Sequence, residues 1–67
     1  MKKEEAVKHY RELLKDYFGD RTVQGQIDKR GRYKEAEWML LNVFGISEEE
    51  IGKIYNEEYW KSNRPQM

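Results

Sequence analysis

The sequence predicts an all-α fold, a compact three-helix domain, on three observations. Apolar residues recur at helical spacing in three stretches of the chain. A helix stop and a helix start lie almost on top of one another in LLNVFGISEEEIGKI, residues 40–54, which fixes a tight corner at Gly45-Ile46-Ser47. Nine aromatic residues, five Tyr, two Phe and two Trp, supply the packing area that a cysteine-free chain of 67 residues needs.

In the first helix, Ala6, Val7, Tyr10, Leu13, Leu14, Tyr17 and Phe18 fall within a stripe about 140° wide on a helix beginning near Lys2. Glu4 and Glu5 suit the positive end of its dipole, and Gly19 is placed to stop it as a C′ residue. Residues 20–31, DRTVQGQIDKRG, are harder to read. Val23 and Ile27 at i, i+4 point to a short fourth helix at 21–30, while Gly25 between them argues for a structured loop. A loop of that length in so small a domain is a place to look for function.

From Arg32 the helical pattern resumes, with Ala36, Leu40, Val43 and Phe44 within about 80° of Tyr33 and Gly45 as the stop. Ser47 is then the N-cap of a third helix, Glu50 completes a capping box, and Ile46 and Ile51 hold the staple positions. That helix runs to about Lys61 with Ile51, Ile54, Tyr55 and Tyr59 on one side, and Pro65 forbids extension much beyond Asn63. Residues 1–62 form a single domain on this reading, and 63–67 a flexible polar tail.

Thirteen basic and thirteen acidic residues cancel, so the chain has no global field to gather DNA or an anionic membrane. The charges are unevenly spread. Residues 1–34 hold ten Lys or Arg against six Asp or Glu, and residues 35–67 three against seven, a sequence dipole that folding can preserve or erase. The longest apolar run, residues 38–41, is far too short to span a membrane, and Glu4-Glu5 follows the opening cations where a secretion signal would turn apolar. Without cysteine there is no disulfide or thiolate metal site, and a cytoplasmic location is expected.

Catalytic chemistry is thinly provided. Ser47 is committed to capping, and the single histidine, His9, borders the apolar stripe of the first helix, where packing of its ring edge accounts for it. A metal would need three converging ligands, and Glu48, Glu49 and Glu50, being consecutive, point in different directions around a helix. No enzyme activity, cofactor or small-molecule substrate is expected.

Two features point instead to binding. Lys29, Arg30, Arg32 and Lys34 gather where the second helix should begin, the end at which the dipole disfavours cations and free N–H groups favour phosphate. The alternative is a solvated loop whose charges pair with nearby glutamates. Trp38 lies about 140° from Tyr33, and Trp60 is opposite Ile51, so both tryptophans fall off the apolar faces of their helices. Met39 is also off the main stripe, which makes the second helix apolar nearly all round, central in the fold or part of a dimer interface. An exposed Trp is an interface anchor, although in a chain this small at least one of the two is expected to be covered.

Residues 37–55 resemble the helix-turn-helix of bacterial and phage repressors, with Leu40, Phe44, Gly45, Ile46, Ile51 and Ile54 at the positions where that pattern has apolar residues and its turn glycine. The resemblance implies a nucleic-acid reader; in that alternative the basic cluster outside the segment, Lys29, Arg30, Arg32 and Lys34, grips phosphates, with Lys53 on the second motif helix. The segment departs from the pattern in two ways: Leu41 stands where a small residue lets the helices approach, and Glu48 and Glu49 stand where the second helix would meet DNA. The corner is also similar to that of small ubiquitin-associated adaptor domains. The leading expectation is therefore a small noncatalytic regulatory module that binds a protein partner, or itself, through Trp38, Met39 and Trp60, with nucleic-acid binding as the alternative.

Overall fold

The computed structural model describes residues 2–62, so the expected tail at 63–67 lies outside the described residues. Three helices follow one another: α1 (Lys3–Gly19), α2 (Val23–Asn42) and α3 (Glu48–Ser62). α1 is the central element. It packs along both α2 and α3, while α2 and α3 meet sparingly. Of the two alternatives for the second helix, central in the fold or part of a dimer interface, the first is not what forms.

α1 and α2 are antiparallel: Tyr17 at the end of α1 packs edge-on to Tyr33, 4.9 Å between ring centroids, and the Tyr10 hydroxyl reaches Glu37 further along α2. α3 lies against the other side of α1, where Phe18 packs edge-on to Tyr55 and Tyr59 and Arg11 pairs with Glu57 and Glu58. The core is built from Ala6, Tyr10 and Leu14 of α1, Tyr33 and Leu40 of α2, and Ile46, Ile51 and Ile54 around the corner and α3.

Residues 20–31 are neither a loop nor a separate helix. Residues 20–22 are the short turn that caps α2, and 23–31 are the start of that helix, which runs unbroken through Gly25 and Gly31. The cap explains why Gly25 does not break it. Asp20 leaves α1 with extended backbone, and its Oδ1 accepts the Thr22 N–H at 2.9 Å and the Thr22 hydroxyl at 2.6 Å. Thr22 is the N-cap of α2, its Oγ1 accepting the Gly25 N–H at 3.1 Å. Lys29 reaches back to Asp20 Oδ2 at 3.0 Å, and the Gln26 side-chain amide donates to the Asp20 carbonyl. Gly25 is the third residue of the helix, and a Cβ there would sit on the Asp20 carboxylate and 2.5 Å from Thr22 Oγ1. The glycine therefore starts the helix by making room for its cap. Gly19, expected to end α1 in a left-handed turn, is instead its last helical residue and has no positive φ; α1 ends because the cap captures Asp20.

The second corner follows the sequence more closely. Gly45 has φ +69°, the left-handed conformation that only glycine adopts without strain. Its turn lets the Ile46 N–H bond the Leu40 carbonyl at 2.9 Å, and the Glu50 N–H donates to Ser47 Oγ at 3.2 Å. Ile46 and Ile51 are both buried, as a hydrophobic staple requires. The Glu50 side chain stays in solvent, so only the serine half of the capping box forms. Val43, expected on the apolar stripe, is the C-cap of α2 and is exposed.

Candidate functional site

Both tryptophans are exposed, Trp38 by 59% and Trp60 by 65%, where one was expected to be covered; Met39 is exposed by 40%. The three do not form one surface. Trp38 stands on the outward side of α2. Met39, the next residue, turns about 100° away and lines a hollow with His9, Leu13, Arg32 and Ala36 beside α1. Trp60 belongs to α3, edge-on to Tyr59 at 5.5 Å, the end of a run of rings that leads through Phe18, Tyr55 and Tyr33 into the core.

The basic residues are scattered as well. Because α2 begins at Val23, Lys29 to Lys34 lie inside the helix with their N–H groups already bonded, so the expected phosphate site at a helix start is not formed. The four cations within six residues then do not share one face. Lys29 turns toward Asp20, Arg32 lies beside Met39, and Arg30 and Lys34 share one side. Lys53 sits apart on α3 among Ser47, Glu49, Glu50 and Asn56. The sequence dipole is partly folded away, since Arg11 from the basic half pairs with Glu57 and Glu58 from the acidic half, at 2.9 and 3.1 Å.

Between α2 and α3 lies an open cleft of about 420 Å³, floored by Tyr10, Tyr33 and Ile51 and walled by Lys34, Glu37 and Leu41 on one side and Glu48, Gly52 and Asn56 on the other. The phenols of the floor stay protonated near neutrality. Burial raises the Tyr10 hydroxyl above its ordinary range, helped by the Glu37 carboxylate 3.3 Å away, and burial beside Tyr55 and Tyr17 pushes Tyr33 up to about 12. The cleft offers aromatic and aliphatic surface with a few charges at its rim. Among the described residues no three His, Asp or Glu side chains converge as metal ligands would.

Glu58 was not singled out by the sequence. Its side chain is fully buried, with Oε1 accepting from Arg11 and 3.6 Å from Lys61 Nζ, and Oε2 without a hydrogen-bond partner. Its only signal was position, since it continues the Ile51 and Ile54 face by one turn. Desolvation works against the Arg11 charge, but hydrogen bonds to Glu57 and Glu58 outweigh it and raise the Arg11 pKa. The cluster ties α1 to α3 around a carboxylate that is itself closed to solvent, which marks it as structural. Among the described residues no helix is long and apolar enough to cross a membrane.

Comparison of the chain with protein-family models, with curated proteins and with solved structures returns no match.

Proposed function

We propose that this chain is a noncatalytic interaction module that binds a protein partner through its exposed aromatic side chains. The supporting observation is the exposure of Trp38, a large side chain on the outward side of α2 that makes no ring contact among the described residues. Trp is enriched among residues that dominate binding energy, and removing it from an exposed position leaves the core untouched. Met39 and Trp60 extend the same property to two further surfaces. The test compares the wild-type chain with Trp38→Ala and Trp60→Ala in affinity recovery of partners from cells that make the protein, with far-UV circular dichroism as the folding control. The expected result is loss of recovered protein in Trp38→Ala at unchanged helicity. Equal recovery, or a collapse of helicity that places Trp38 in the core, would overturn the reading.

A second reading, nucleic-acid binding, draws support from Arg30 and Lys34, which are exposed, share one side of α2 and have no ion pair among the described residues. It expects log K for duplex DNA to fall against log salt with a slope of about 0.9 per phosphate contact. The exposed Glu48, Glu49 and Glu50 at the start of α3 oppose it, because they would enter the negative field of the duplex first.

A further inference from the structure

One side of α2 carries a stripe of exposed residues that runs from a hollow beside Tyr17 of α1, at Val23, Ile27 and Arg30, past Lys34 at the rim of the cleft facing Glu48 of α3, to Trp38. Val23, Ile27, Arg30, Lys34 and Trp38 fall within about 80° of one another around the helix and extend about 22 Å along it. Val23 is exposed by 76% and Ile27 by 53%, which with Trp38 places apolar groups at both ends of the stripe. Its middle is positive: neither Arg30 nor Lys34 has an ion pair among the described residues. No carboxylate answers them from the same helix. Asp28 and Glu35 lie about 100° or more from the midline of the stripe. Glu37, at its inner edge, is half-buried and accepts the Tyr10 hydroxyl.

Gly31 lies at the outer edge, between Ile27 and Trp38. A Cβ there would meet nothing within 4 Å, so no contact inside the domain calls for glycine, although glycine weakens a helix interior. The missing side chain leaves room for a partner backbone to approach.

A second copy is a poor occupant. Laying the stripe on itself, parallel in register or antiparallel with Val23 opposite Trp38, brings Arg30 beside its own copy and gives neither cation an anion. An acidic amphipathic helix fits on both counts, because its side chains share the period of the stripe and its carboxylates answer the two cations. We propose that the exposed stripe of α2 docks an acidic amphipathic helix of a protein partner, with apolar anchors on Val23, Ile27 and Trp38 and carboxylates on Arg30 and Lys34. This rests on the interaction-module reading above and names the chemistry of the partner.

The experiment follows Trp38 fluorescence in the Trp60→Phe chain. The probe is a synthetic helical peptide of about 16 residues, with leucines spaced to meet the two apolar ends and glutamates between them. The expected result is a saturable blue shift with Kd on the order of 10 µM at low salt. Replacing the peptide glutamates by glutamine should weaken binding by about tenfold or more. In the Arg30→Glu/Lys34→Glu chain the acidic peptide should lose binding and a lysine version of it should gain binding, with helicity unchanged by circular dichroism.

Equal binding of the glutamine peptide, or no binding of the acidic one, overturns the proposal. So does tighter binding to phosphatidylglycerol vesicles or duplex DNA than to the peptide, or a dimer of the chain alone in sedimentation equilibrium. If the peptide fails while Trp38→Ala still loses the cellular partner, only the acidic-helix occupant falls. If neither responds, the module reading falls with it.

Discussion

The two halves of α2 are held in place by different means. From Tyr33 onward the helix is fixed by packing: Tyr33 and Leu40 are buried against α1, and Ala36, Glu37 and Leu41 are half-buried around them. From Val23 to Arg32 no residue is buried, and Gly25 and Lys29 are the most sheltered. That first half is organised by its cap, in which Asp20, Thr22, Gly25, Gln26 and Lys29 share one hydrogen-bonded cluster. A helix that lacks a core face has its side chains free for other contacts, and Val23, Ile27 and Arg30 lie in this half. Burial of apolar area holds the rest of the domain, where each fully buried side chain contributes about 1.5 to 3 kcal/mol.

The comparison sharpens most where the packed region is damaged. Arg11→Ala leaves the buried Glu58 carboxylate only the more distant, exposed Lys61 at 3.6 Å. Because Arg11 is itself part-exposed, the expected loss is about 2 to 3 kcal/mol, at or below the low end for a fully buried pair. Against a margin of about 3 to 5 kcal/mol for a domain this size, urea denaturation should show a barely stable fold. Arg11→Met with Glu58→Leu removes both charges and should recover most of the loss. If the double variant is no more stable than the single one, the ion pair is not what α1 and α3 depend on.

The cap should respond to acid while the packed half does not. Hydrogen bonds from Thr22, then the ion pair with Lys29, lower the Asp20 pKa from 3.8 to about 2. A lowered carboxylate pKa gives stability that is fully present above 3.8 and is lost as pH falls toward 2. Amide hydrogen exchange over residues 23–32 should accelerate through that window, ahead of exchange in α1. Thr22→Ala should produce the same local fraying at neutral pH, a loss of about 1 kcal/mol. Uniform acceleration across all three helices would mean that the two halves of α2 unfold together.

The smallest effect separates two glycines of the same half-helix. Gly31→Ala adds a methyl group to open space and should stabilise the helix by up to about 1 kcal/mol. Gly25→Ala should destabilise it, because the new Cβ displaces the Asp20 carboxylate from Thr22 and Lys29. Thermal unfolding of the two variants should shift in opposite directions. A shift upward in both would show that the cap is dispensable.

The candidate surface was legible only in part. Trp38 stood out because its wheel position set it off the Tyr33 stripe, and the structure leaves it exposed. The stripe to which it belongs was hidden, since Val23 and Ile27 sat in a segment whose glycine spoke against a long helix. Propensity charges Gly25 for its flexibility but does not register the space it leaves for Asp20. The basic cluster misled for the same reason: placing the helix start at Arg32 instead of Val23 put four mid-helix cations at a helix end.

The sequence by itself determined α1, α3 and the corner between α2 and α3, because apolar period, the left-handed glycine and the Ser47 cap each act within a few residues. The tertiary structure decided which helix is central, that Glu58 is buried on the face of Ile51 and Ile54, and that Trp38 and Trp60 are left outside. Those outcomes depend on which surfaces meet across the domain. A helix face has no burial of its own until another helix covers it.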